Sequence, residues 1–212
     1  MGRTRRVQDL VPADLAGLTG PVRRDELGWL LADPHAAWAR SAQEQWGMCG
    51  VALLDEDDQT LAHLLVCPGL QLPSGHPLAQ WSRTPDGACL LALAVADELP
   101  RPEATVRHLV QRVSRRLVGQ ASGISAVGCD GAKDAPDCLE PPTGWLAQAG
   151  FAPVEGRQLG GGRRMELPLD SSLRWQPDLN RAWQLLAGLV PRPLPPTEPT
   201  GRGSTPRRAV RN

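Results

Sequence analysis

The sequence predicts an α+β fold: a mixed, mostly antiparallel central sheet with flanking helices and a parallel strand pair at its middle. Three observations carry this. Ala88–Val95 is an uninterrupted apolar run bounded by turn residues, as in a strand covered on both faces. Directly after it, Val106, Leu109, Val110, Val113 and Leu117 fall at i, i+3, i+4, i+7 and i+11, a helix with one buried stripe. A second short apolar strand, Gly123–Gly128, follows. Two strands joined through a helix lie parallel, so Ile124–Val127 is expected beside Ala88–Val95.

The other elements follow in order. Residues 1–6 form a short basic arm expected to fray. Val7–Leu10 is an edge strand, and Pro12 opens a short helix. Within residues 34–46, Trp38, Ala42 and Trp46 fall at i, i+4 and i+8, an amphipathic helix. Cys49–Leu54 and Thr60–Val66 flank the polar turn Asp55–Asp58 and read as a β-hairpin. Residues 68–87 hold four Pro and three Gly and read as a loop. After a polar loop over 129–142, Gly144–Gly150 is a short helix stopped by glycine. Phe151–Val154 and Arg163–Leu169 are the last strands, with Gly160–Gly162 as their turn. Leu179, Ala182, Trp183, Leu186 and Val190 mark a final amphipathic helix. Residues 191–212 contain six Pro, five Arg and one Glu, a composition that cannot bury an apolar face and is expected to be disordered. The expected organisation is therefore an arm (1–6), one domain (7–190) and a tail (191–212).

Composition narrows the function classes. The 212 residues include 23 Lys plus Arg and 23 Asp plus Glu, so no net charge favours a nucleic-acid partner. Tyr is absent, which removes one class of general acid. Five Cys form no C-x-x-C pair, and a reduced, cytoplasmic protein is the expectation. The N-terminus lacks an apolar leader. The longest apolar stretch, Ala88–Ala96, falls far short of the roughly 20 residues that span a bilayer.

Four segments carry a family resemblance: Trp46-Gly-Met-Cys-Gly50 opening the hairpin, the strand-to-helix stretch Leu90–Leu117, Trp145-Leu-Ala-Gln-Ala-Gly-Phe151, and the ending Arg164–Leu169 with Leu173-Arg-Trp175. In these the chain resembles the GNAT (GCN5-related N-acetyltransferase) family, in particular actinobacterial members of unassigned substrate. The resemblance implies that the buried central strand splays from its parallel neighbour. The backbone at Leu93, Ala94 and Val95 would then pair with the pantetheine arm of acetyl-CoA. The family's pyrophosphate loop, Gln/Arg-x-x-Gly-x-Gly/Ala, falls on Arg101–Val106, so Arg101, Ala104, Thr105, Val106 and the following Arg107 are the implied cofactor residues. Arg101 keeps the first position, while Ala104 and Val106 stand at the small ones. Pro102 has no N–H, and Glu103 places a carboxylate beside the phosphates. Two readings stay open for this turn: an ordinary helix start with Pro and Glu in favourable places, or a weakened phosphate site.

The family deprotonates its amine with an acid on or near the central strand, which makes Asp97 and Glu98 the candidates; as plain residues they read as solvated turn carboxylates. Trp145 stands near the place of the family's proton-donating Tyr, and an indole N–H cannot supply a proton at neutral pH. That role falls to water, to Asp137 or Cys138, or to nothing. The acceptor would be a small-molecule or protein amine, with its pocket built from residues 20–46 and 68–87, and a homodimer is compatible with the family. No metal site is expected: His63 and His108 have no spaced partner, and Asp55–Asp58 lacks calcium-loop spacing. A catalytically degenerate binding or regulatory protein on the same fold is the second reading. A nucleic-acid accessory role would rest on the tail alone.

Overall fold

A computed structural model describes residues 5–18, 36–80, 85–130, 140–155 and 162–169. The N-terminal arm's first four residues, Cys138, Asp137, the Gly160–Gly161 turn, the final helix and the tail lie outside the described residues. All described residues belong to the first of the chain's two units, Met1–Trp175.

Among the described residues, seven strands form one sheet in the order β1-β2-β3-β4-β5-β7-β6. β1 is Arg6–Leu10, β2 Gly50–Leu54, β3 Thr60–Pro68, β4 Ala88–Val95, β5 Gly123–Cys129, β6 Ala152–Pro153 and β7 Gly162–Pro168. The α-helices among the described residues are α1 (Ala37–Trp46), α2 (Pro102–Leu117) and α3 (Thr143–Gln148). β4 and β5 are parallel and every other pairing is antiparallel, so the expected strand–helix–strand unit is present. Pro12–Gly17 is a 3-10 turn rather than a regular helix. The expected strand at Phe151–Val154 shrinks to two residues, because Pro153 has no ladder donor. The part of the expected 68–87 loop that lies among the described residues carries 3-10 turns at Gly69–Gln71 and Pro77–Gln80.

The hairpin turn is organised by two of its own carboxylates. Asp55 Oδ1 accepts the backbone N–H groups of Asp57 and Gln59, each at 2.9 Å, an Asx-type turn. Asp58 takes the left-handed conformation at φ 60°, and its carboxylate pairs with Arg6 at 2.6 Å. Among the described residues, no cluster of three or more His, Cys, Asp or Glu is arranged to hold a metal ion.

Register assigns the faces. Asp9, Val51, Leu64 and Leu93 are successive cross-strand partners and point to one side of the sheet. Arg112 Nε and Arg116 Nη2 reach the Asp9 carboxylate at 2.9 and 2.5 Å, so α2 covers that side and anchors the edge strand. Burial raises the Asp9 pKa, but the two guanidiniums outweigh it and hold the carboxyl below its ordinary value. α2 buries Val106, Leu109, Val110, Val113 and Leu117, the stripe its period required. The alternate set Ala52, His63 and Ala94 points to the opposite side. α1 turns Trp38, Ala39, Ala42 and Trp46 inward and packs on β3. No helix among the described residues is long and apolar enough to cross a membrane. Cys49, Cys67 and Cys89 are buried thiols, whereas Cys129 is disulfide-bonded, against the expectation of a fully reduced protein.

Candidate functional site

β4 and β5 pair only at Ala88–Ile124 and Cys89–Ser125. From Leu90 onward β4 keeps β3 on one edge and has no strand on the other among the described residues. The two strands splay, leaving an open wedge at their C-terminal ends.

Hydrogen-bond alternation identifies what β4 presents to the wedge. Ala96 N–H donates to Leu61 O at 2.8 Å, in the same register as the Ala62–Val95 and His63–Ala94 pairs. In an antiparallel ladder, bonded and non-bonded pairs alternate. Ala94 and Ala92 therefore turn their backbone groups to β3, and Val95 and Leu93 turn theirs away from it, to the wedge. Buried N–H and C=O groups without partners are costly. This edge suits an extended ligand that carries amides of its own.

A bulge sits where the strands part. Val66 pairs with Leu90 and Leu65 with Ala92, so Leu91 is an extra residue in β4, the kind of irregularity that bends a strand beside a site. Its carbonyl accepts from His76 Nε2 at 3.3 Å, and His76 Nδ1 accepts the Leu78 backbone N–H at 3.1 Å. His76 is buried. Burial lowers its pKa, against an opposing contribution from the Leu91 hydrogen bond, so the ring is neutral at pH 7. Sequence reading missed His76, because a histidine in a Pro/Gly-rich stretch has no periodicity to mark its side chain as inward.

The turn after β4 leads into α2. Arg101 is its N-cap, Pro102 its first residue, and no side chain caps it. Thr105 spends both its N–H and its hydroxyl on Arg101 O, at 3.2 and 3.4 Å. The N–H groups of Glu103 and Ala104 keep no helical acceptor, and the helix dipole favours an anion before them. A groove of about 310 Å³ lies here. Leu53, Leu99, Ala104 and Leu109 form its apolar lining, and Arg5, Arg101, Thr105 and His108 its polar side.

The sequence-derived candidates are thus spread over two adjoining places. Leu93, Ala94 and Val95 lie on the free-edge segment of β4, with Ala94 turned to β3 by its backbone. Arg101, Ala104 and Thr105 share the groove. Val106, expected at the phosphate, is instead fully buried in the core with none of its surface open to a ligand, because the helix stripe turns it inward, and Arg107 is exposed. Asp97 and Glu98 are exposed in the turn between β4 and α2. Arg5 and His108 also line the groove; the sequence pattern marks Arg5 only as part of a basic arm and His108 only as a helix-flank residue. Cys49, the thiol nearest the hairpin start, is pushed up to about 12 by burial, with Asp14 adding in the same direction, so it is no nucleophile.

At the C-terminal end of β5, the Thr143 hydroxyl lies 2.7 Å from Cys129 O and 2.6 Å from Asp130 Oδ1. Asp130 also pairs with Arg163 at 2.9 Å. A hydroxyl has one proton, so it donates to one of these oxygens at a time.

No protein-family model matches the sequence, and no curated protein is similar to it at a significant level. Solved structures do match. AAC(6')-Ib in complex with paromomycin and acetyl-CoA superimposes with a TM-score of 0.51 at 16% identity, covering 82% of this chain and 99% of that one. The GNAT family N-acetyltransferase YhbS from Escherichia coli, in complex with CoA, gives 0.52 at 16% identity over 82% and 87%. At this identity the likeness is one of fold, and the fold is that of the GNAT N-acetyltransferases.

Proposed function

We propose that the protein is an N-acyltransferase that takes the acetyl group of acetyl-CoA and transfers it to an amine. The observation that carries this reading is the free edge of β4, where Leu93 and Val95 offer donors and acceptors to a wedge that β5 has left. A pantetheine arm is an extended chain with two amides. It would add to β4 as a strand adds to a sheet edge, and the diphosphate would meet the first turn of α2 and Arg101. AAC(6')-Ib and YhbS hold acetyl-CoA and CoA on the same fold, which is in keeping with it.

The chemistry is direct attack. The amine nitrogen forms a bond to the thioester carbon, the carbon–sulfur bond breaks, and CoA leaves as a thiolate. Asp97 or Glu98 would take the amine proton, and water would return one to the thiolate. Placing the reactants side by side, rather than strong acid–base groups, would supply most of the rate. The acceptor is a small-molecule or protein amine.

The turn at α2 sets the affinity. Pro102 removes one N–H at the phosphate position, and a bond from N–H to a charged oxygen contributes about 1.5–3 kcal/mol. Binding weakens about ten- to a hundredfold on that account, and the expected acetyl-CoA affinity is on the order of tens of micromolar or weaker. This departure is also what favours the second reading, a catalytically degenerate binding protein.

Val95→Pro tests the site. Val95 N–H makes no bond to β3, so the ladder keeps its hydrogen bonds while the wedge loses a donor. Calorimetry should show acetyl-CoA binding weakened about tenfold, the upper value of one neutral hydrogen bond. Unchanged affinity in a folded variant would remove pantetheine from this edge. Binding without turnover across a panel of amines would favour the second reading.

A further inference from the structure

We propose that His76 is a positioning residue that fixes the separation of β4 and β5, tying the bulge carbonyl of Leu91 to the 3-10 turn that rests on β5. The tie has two ends. Nδ1 accepts the Leu78 N–H at 3.1 Å, so the ring proton sits on Nε2, which donates to Leu91 O at 3.3 Å. Leu78 belongs to Pro77–Gln80, and that turn packs on β5. One neutral imidazole thereby connects the irregular point of β4 to an element lying on the strand that departs from it. The connection is buried, where a hydrogen bond is strong and an unmade one costly. A protonated ring would set N–H against N–H at Leu78 and break that end.

The consequence for ligand rests on the acyl-CoA reading: a wedge of fixed width meets an extended arm already shaped, and a loosened one must be ordered first. The tie itself does not depend on that reading, and the test separates them. The amide oxygen and nitrogen of glutamine can replace the accepting and donating ring nitrogens. Asparagine reaches only Leu78, and leucine neither. In His76→Gln, acetyl-CoA affinity should stay within threefold of wild type, while His76→Asn and His76→Leu weaken it about tenfold in protein that remains folded. Amide chemical shifts give the ligand-free readout: Asn and Leu should move Val127 and Gly128 of β5, and Gln should not. The imidazole ¹⁵N shifts of wild type should report the Nε2–H form. An Nδ1–H ring, or perturbations confined to residues 74–80 and β4, would overturn the tie. If wild type binds no acetyl-CoA yet β5 moves as described, the acyl-CoA reading fails and the tie stands.

Discussion

Lowering the pH from 6.5 to about 4 is expected to cost the protein about 3 kcal/mol of stability through His63 alone. His63 is completely buried on β3, neither ring nitrogen has a hydrogen-bond partner, and burial lowers its pKa to about 4. Its cross-strand neighbours are Ala52 and Ala94, small side chains that leave it room and offer no polar group. The unfolded chain binds the proton near pH 6.5 and the folded one does not until about 4, so stability rises with pH across that window and is complete above it. Each pKa unit of difference corresponds to about 1.4 kcal/mol. Denaturant melts at pH 7 and pH 4.5 measure the loss. His63→Leu has similar volume and no charge to bury, so it should flatten this window and be at least as stable at pH 7. An undiminished acid limb in that variant would place the titration elsewhere.

Gly50→Ala is expected to destabilise by about 3 kcal/mol or more, at the upper end of overpacking, and to lower Tm by roughly 6–12 °C for a chain of this size. A Cβ at Gly50 would collide with the Leu64 carbonyl oxygen and stand 3.1 Å from Leu65 Cα. Both are backbone atoms and cannot rotate away. Gly50 begins β2, opposite Leu65 and Leu10, so the clash would push apart the strands that support β4. Thermal unfolding of the variant checks this; a melt within a degree of wild type would mean that the hairpin has slack there.

Much of the scaffold was legible because it is written in period. The apolar run Ala88–Val95 and the stripe Val106–Leu117 each admit one structure, and their succession fixes a parallel neighbour. The hairpin was equally plain, since Asp55–Asp58 separates two apolar runs. The site was legible only in part. The splay is a difference between two pairings of one strand, and side-chain alternation does not encode where a partner departs. The Leu91 bulge lies inside an unbroken apolar run, where an extra residue leaves no mark. His76 stands among prolines and glycines, so its burial and its two partners could not be read from pattern. Gly50 was noticed as part of Trp46–Gly50, but only the approach of Leu64 O explains why glycine belongs there. Val106 illustrates the opposite case: the loop alignment put it at a phosphate position while the helical stripe put it in the core, and its side chain follows the stripe.

The central claim is that acetyl-CoA lies along the free edge of β4. Amide hydrogen exchange, followed residue by residue with and without saturating acetyl-CoA, tests it most directly. Leu93 and Val95 have no acceptor on β3, so their amides should exchange readily in the free protein and become protected when the ligand's carbonyls meet them. Ala92 and Ala94, already bonded to β3, should change little. Protection of Leu93 and Val95 together with the Glu103 and Ala104 amides at the start of α2 is the predicted result. Saturable binding that leaves Leu93 and Val95 as exposed as before would contradict it.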